Sequence, residues 1–357
     1  CSFFLLIESF LQTGPDLLAG KAIRAIRGKP RLFDIRFITF QNPKRALRDR
    51  QLQFMVALSA ERWQSKAMSM PTEKFLIPVA GGELAVFRYG DGQGEPVLLI
   101  HGVTSSNRAF QLFADDLIAR GKAPYAVDLR GRGDSNSLPG PFGMAQHAKD
   151  MVEVINHFKW IKPDVIGHSM GGFVVAALVG LYPDQVGRVV FADGGIPLPM
   201  PPGMTIEQIM PLVLGPALAR LSMTFESKDA YRDYWKPHPS FTRGWSKELD
   251  EYVDYDLRGG KPATSSQAVA EDSEDLFGND YVEKGLKNLK DETLFIRAPR
   301  GLQNEEGGLY PMPILDLVAP QYPMLKIVTL DDVNHYDMFL HPFGSSQIAQ
   351  IIYGDKK

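Results

Sequence analysis

The stretch Asp164-Val165-Ile166-Gly167-His168-Ser169-Met170-Gly171-Gly172-Phe173-Val174-Val175-Ala176-Ala177 decides how the chain is read. A short apolar run ends at Gly167, and an Ala- and Val-rich run of helical character begins just after Gly171. Between them lies Gly-x-Ser-x-Gly, with Ser169 at its centre. Strand, tight turn and helix form the context that gives this pattern its meaning. Without a Cβ at Gly167 and Gly171, strand and helix approach closely around the turn. The spacing predicts a strained backbone at Ser169 and a hydroxyl exposed at the strand end. The helix that starts there favours negative charge beside the serine.

Outward from this stretch, strand and helix patterns alternate. Lys74–Ile77 and Leu84–Tyr89 flank Ala80-Gly81-Gly82, a hairpin signal. Pro96–Ile100 reads as a buried strand followed at once by His101-Gly102, and Tyr125–Leu129 as the next strand. Helices are expected over 108–120, 144–158 and from Gly171 to about Tyr182, and a strand over Arg188–Asp193. This alternation predicts an α/β fold, a mostly parallel sheet with helices on both faces. From Gly194 to about Asn288 the rhythm breaks into a Pro-, Met- and aromatic-rich helical region. Its Met200, Met204, Met210, Met223, Phe225, Tyr231, Tyr234, Trp235, Phe241 and Trp245 are candidates to line an apolar pocket or to pack the region onto the core. Strands resume at Thr293–Arg297 and Met324–Leu330, and a closing helix covers about 345–353.

The ordered landmarks from about 72 to 353 resemble the α/β-hydrolase superfamily, with Ser169 on its nucleophile elbow. The resemblance implies an α/β-hydrolase fold with a helical cap inserted after the sixth strand. It divides the chain into a basic N-terminal extension (1–70), core (71–196), cap (197–288) and core (289–357). A serine hydroxyl needs a base within hydrogen-bond reach. His335, in Asn334-His335-Tyr336-Asp337-Met338 after the last strand, stands where the family places it. The family also implies oxyanion donors on the backbone N–H groups of Met170 and Val103. Asp128-Leu129-Arg130-Gly131-Arg132-Gly133-Asp134-Ser135 resembles a family loop and reads as structural, a glycine-built turn pinned by charge pairs.

The acid departs from the commonest pattern. Many members carry an aspartate just after the strand corresponding to Leu294–Arg297, but here the chain reads Ala298-Pro299-Arg300-Gly301. Two candidates remain, Asp193 at the end of the sixth strand and Glu306 in a glycine-flanked loop. A strand end is the firmer platform, which favours Asp193.

Composition bounds the rest. The 357 residues suffice for a core plus an insertion, and the net charge of −3 shows no basic stripe for nucleic acid. One cysteine, Cys1, leaves no internal disulfide and fits a reducing, cytoplasmic setting. No metal-ligand spacing of Cys and His is present, and no cofactor is expected. Ser2–Ile7 is apolar but too short to span a membrane, and reads as an upstream extension rather than a signal segment or lipid-modified terminus. Residues 21–50 are rich in Lys and Arg, and a flexible basic tail is favoured there over membrane contact. The reading as a whole is a serine hydrolase for a carboxylic ester or lactone with an apolar group. Carbon–carbon bond hydrolysis, peptide hydrolysis and weakly catalytic ligand binding are the alternatives.

Overall fold

The computed structural model describes residues 70–201 and 203–355. The expected N-terminal extension therefore lies outside the described residues, apart from Met70. Strands β1 (Pro71–Val79), β2 (Gly82–Tyr89), β3 (Glu95–Ile100), β4 (Lys122–Val127), β5 (Asp164–His168) and β6 (Val189–Ala192) come first. Helices α1 (Gln111–Ile118), α2 (Met144–His157) and α3 (Met170–Leu181) follow β3, β4 and β5. An insertion then carries α4 (Ile206–Leu214), α5 (Lys228–Trp235), α6 (Lys247–Asp256), the short pair β7 (Leu257–Arg258) and β8 (Lys261–Pro262), α7 (Ser266–Glu274) and α8 (Asp280–Lys287). The chain closes with β9 (Thr293–Arg297), α9 (Met312–Val318), β10 (Leu325–Thr329) and α10 (Pro342–Tyr353).

The main sheet has eight strands in the order β1-β2-β4-β3-β5-β6-β9-β10. The pairs β1–β2 and β2–β4 are antiparallel, so β2 alone runs against the other strands; every other neighbouring pair is parallel. Strand side chains alternate between faces. Leu98 and Ile100 of β3 join one apolar cluster, with α2 and α3, while Val97 and Leu99 join the other, with α1 and α10. Both faces are thus covered, which is why these strands are apolar throughout rather than alternating.

Most expected elements appear with small shifts. The first helix begins as a 3₁₀ turn, Asn107–Phe110, before α1. The closing helix starts earlier than expected, at Pro342, because proline is well suited to the first helical turn. The sequence reading missed α9, although Pro311 and Pro313 mark its start.

The turn between β5 and α3 depends on two glycines. A Cβ on Gly167 would lie 2.2 Å from the Gly171 carbonyl oxygen, and one on Gly171 2.1 Å from that of Ile100. Beside this turn, His101 is fully buried at the end of β3. Its Nδ1–H donates to the Gly102 carbonyl at 2.7 Å and its Nε2 accepts the Leu129 N–H at 3.0 Å. Both ring nitrogens are thereby used by the neutral form. Burial lowers its pKa to about 3.

Two expectations follow. Gly167→Ala should cost at least about 3 kcal/mol in a urea titration, because the obstructing atoms are backbone and cannot swing aside. The unfolded chain takes up a proton at His101 near pH 6.5, while the folded chain does so only near 3. Stability should therefore fall as pH drops below 6.5, this residue contributing about 1.4 kcal/mol per pH unit. His101→Gln should remove that part of the slope, read as the difference between the two proteins at pH 7 and pH 5.

Candidate active site

The register of the parallel strands builds the site. His168 pairs with Ala192, and Ala192 with Ile296, so β5 and β6 end level with each other and one residue short of the end of β9. The chain turns away one residue later at Ser169 and Asp193, both with left-handed backbones (φ 55° and 49°). Such a φ is uncommon outside glycine and stores strain that the surrounding hydrogen bonds must hold.

Asp193 is fully buried. Its Oδ1 accepts the Ala298 N–H at 3.1 Å, and its Oδ2 accepts Nδ1–H of His335 at 2.7 Å. The carboxylate only accepts, so Nδ1 carries the hydrogen and Nε2 of His335 is left bare. His335 and Ser169 line the same cleft. The loop that presents His335 is folded by Asn334. Asn334 Oδ1 accepts the N–H groups of Tyr336 and Asp337, and its Nδ2 donates to the Ser240 carbonyl at 2.8 Å. This asparagine precedes the histidine directly, and its turn chemistry was readable in the sequence.

The competing carboxylates are elsewhere. Glu306 is exposed, and its backbone forms an isolated bridge with Arg300. Glu305 folds back on its own loop, accepting the Gln303 N–H at 2.8 Å. Neither has a hydrogen bond to His335.

His168, the serine's neighbour in the chain, also lines the cleft. Its ring lies 4.6 Å from that of His335, and its Nε2–H donates to the His335 carbonyl at 3.1 Å. Burial, helped by the nearby His335, holds its pKa well below that of an ordinary histidine. It therefore acts as a neutral prop for the His335 backbone.

Val103 lines the cleft, and Met170 is the first residue of α3, directly after Ser169. Further walls come from Ala109, Leu214, Leu302, Phe339 and Leu340, with hydroxyl-bearing Ser105, Tyr252 and Tyr336 between them. Of the ten Met and aromatic residues singled out in the insertion, none lines this cleft. Tyr231, Trp235 and Phe241 are buried in the core cluster instead, and Met200 and Met223 are exposed. The buried ones pack the insertion into the core. The loop after β4 is the charge-pinned turn expected of it. Asp128 accepts both Asn107 N–H and Asp134 N–H at 2.8 Å, and Arg130 pairs with Asp150 at 2.9 Å. Among the described residues no cluster of His, Cys, Asp and Glu is suited to a metal ion, and no helix is long and apolar enough to cross a membrane.

Residues 95–281, just over half of the chain, match the family model for the alpha/beta hydrolase fold. A serine hydrolase-like protein of Danio rerio is 30% identical over 138 residues, 38% of this chain and 42% of that protein. A putative 2-succinyl-6-hydroxy-2,4-cyclohexadiene-1-carboxylate synthase of Bacillus subtilis (strain 168) is 26% identical over 184 residues, 51% of this chain and 64% of that one. The chain thus spans less than two thirds of the length of either relative. Among solved structures, E-2-(acetamidomethylene)succinate hydrolase aligns with a TM-score of 0.62 at 19% identity, over 78% of this chain and 98% of that one. The thioesterase domain from the curacin biosynthetic pathway gives 0.61 at 19% identity, over 80% and 99%. At such identities the likeness to solved structures is one of fold. With the family match, the order of the sheet and the turn at Ser169 in agreement, the chain belongs to the α/β-hydrolase fold family.

Proposed function

We propose that this chain is a serine hydrolase that cleaves a carboxylic ester or lactone through an acyl-enzyme on Ser169. The observation that carries the reading is the buried 2.7 Å bond from Nδ1 of His335 to Asp193, which leaves Nε2 free in the cleft that Ser169 lines.

In this reading the Ser169 oxygen attacks the carbonyl carbon while its proton passes to Nε2 of His335. The negative charge of Asp193 stabilises the imidazolium, which is worth most where water is excluded. The carbonyl oxygen becomes an oxyanion, and the N–H groups of Val103 and Met170 donate to it. Collapse expels the alcohol, which takes the proton from His335. Water, deprotonated by the same Nε2, then adds to the acyl carbon. Collapse of that second oxyanion releases the acid and restores the Ser169 hydroxyl. The apolar walls at Ala109, Leu214, Leu302, Phe339 and Leu340 support an apolar group on the substrate. The helical insertion, 197–288 in the expected division of the chain, would act as the cap over that group through Leu214 and Tyr252.

Intact-mass measurement after fluorophosphonate treatment is the direct test. A single adduct is expected on the wild type and none on Ser169→Ala; an unlabelled, folded wild type overturns the reading. Ser169→Ala and His335→Ala should each lower turnover of activated esters by at least about 10⁴-fold. Asp193→Asn should lower kcat by about 10³- to 10⁴-fold, since an amide in place of the carboxylate favours the wrong imidazole tautomer. Glu306→Gln should leave kcat within about twofold, because an exposed side chain without a bond to His335 has no route to the proton transfer. Equal effects of the two substitutions would remove Asp193 from its proposed role.

A further inference from the structure

Three successive carbonyls in the loop after β3 are each held by a buried side-chain N–H. Gly102 accepts from Nδ1 of His101 at 2.7 Å, Val103 from Nε of Arg132 at 3.0 Å, and Thr104 from Nη2 of Arg220 at 2.9 Å. Arg132 also gives Nη1 to the Arg130 carbonyl at 3.0 Å and places Nη2 4.0 Å from Sδ of Met170. It therefore touches both residues whose N–H groups would face an oxyanion. Arg132 is fully buried, and its counter-charge is Asp272 on α7 of the insertion, fully buried as well. Asp272 accepts further bonds from the Gly143 N–H at 2.6 Å and Nε2 of His147 at 3.0 Å. Arg220 is paired in turn with Asp256, at 3.0 Å, again from the insertion.

In a planar trans peptide the N–H points opposite to the carbonyl of the preceding residue. The N–H of Val103 therefore points away from the side on which His101 holds the Gly102 carbonyl. The next peptide plane is set by Arg132 through the Val103 carbonyl. With both flanking planes pinned, neither backbone dihedral of Val103 is free to turn. A buried guanidinium kept for stability alone is a poor bargain, since a well-packed apolar pair of the same volume is often as stable. Its fork of donors, however, reaches several acceptors at fixed angles, which a lysine cannot match.

We propose that Arg132 is a positioning residue for the oxyanion hole, and that Asp272 couples the insertion to catalysis by holding Arg132 in place. The proposal rests on the acyl-enzyme reading above. The insertion would then act on the reaction through the backbone beneath the substrate as well as by covering it.

The test compares three variants with the wild type on a soluble activated ester, alongside binding of a trifluoromethyl ketone that mimics the oxyanion adduct. Arg132→Met with Asp272→Leu removes the pair without stranding a buried charge. It should lower kcat by about 10- to 100-fold, less than outright loss of an oxyanion donor, with KM within about threefold. Affinity for the ketone should fall by the same factor as kcat. Arg132→Lys keeps the charge opposite Asp272 but loses the fork; it should show the same split, and it carries the comparison should the double variant not fold. Arg130→Met with Asp150→Leu is the control. That buried pair reaches the Pro139 and Ala80 carbonyls and no cleft residue, so its kcat should stay within about threefold. An unchanged kcat in folded Arg132 variants, or an equal loss in the control, overturns the proposal while leaving the hydrolase reading intact. A wild type that neither turns over esters nor takes up fluorophosphonate overturns both.

Discussion

The Ser169 N–H donates to the Ala192 carbonyl at 2.9 Å, and the Asp193 N–H to the Ile296 carbonyl at 2.8 Å. These two bonds carry the parallel ladder one step past the regular strands, and the site depends on that step. They hold two residues in left-handed conformations, each of which costs on the order of 1–3 kcal/mol when left unsupported. A slip of one residue in β5 or β6 would turn every side chain to the opposite face. Gly167 protects this register, because strand and helix meet there with no room for a methyl group.

The buried ion pairs at this edge of the sheet serve placement more than stability. Arg130–Asp150 and Arg132–Asp272 are out of water and Arg220–Asp256 is mostly so, and their attraction is largely offset by desolvation. Exposed pairs such as Lys290–Asp184, at 3.9 Å, contribute between nothing and about 1 kcal/mol. The difference lies in what the buried arginines reach. Each also donates to backbone carbonyls: those of Pro139 and Ala80 for Arg130, Val103 for Arg132, Thr104 for Arg220. The stability of the fold comes instead from the two apolar clusters on either face of the sheet, where the strand residues are almost wholly buried.

The sheet and its helices were legible in the sequence because burial on both faces leaves a plain signature: short apolar runs separated by amphipathic helices and punctuated by glycine. Ser169 and His335 stood out for the same reason, one between two glycines and the other in a loop just past the last strand. The walls of the cleft were not legible. Leu214 and Tyr252 reach it from the insertion, whereas Trp235 and Phe241, more conspicuous in the sequence, turn into the core. Helix orientation within an insertion is set by contacts distant along the chain, and composition carries no trace of them.

The choice between Asp193 and Glu306 shows how a missing residue can be informative. The strand end at Ala298 offers no carboxylate, but its backbone N–H donates to Oδ1 of Asp193 at 3.1 Å. The neighbouring strand thus supplies a donor to Asp193 instead of a carboxylate of its own. The loop beyond closes on itself, with the Gly301 N–H on the Glu305 carbonyl and Arg297 Nε on that of Tyr310. Its glutamates are consequently committed to the loop or turned to solvent. An acid at the end of β6 needs only the adjacent strand to be in register. One at Glu306 would need the loop to unfold toward His335, giving up these bonds for a single new one. The parallel register therefore favours Asp193 on physical grounds that do not depend on the chemistry assigned to the site.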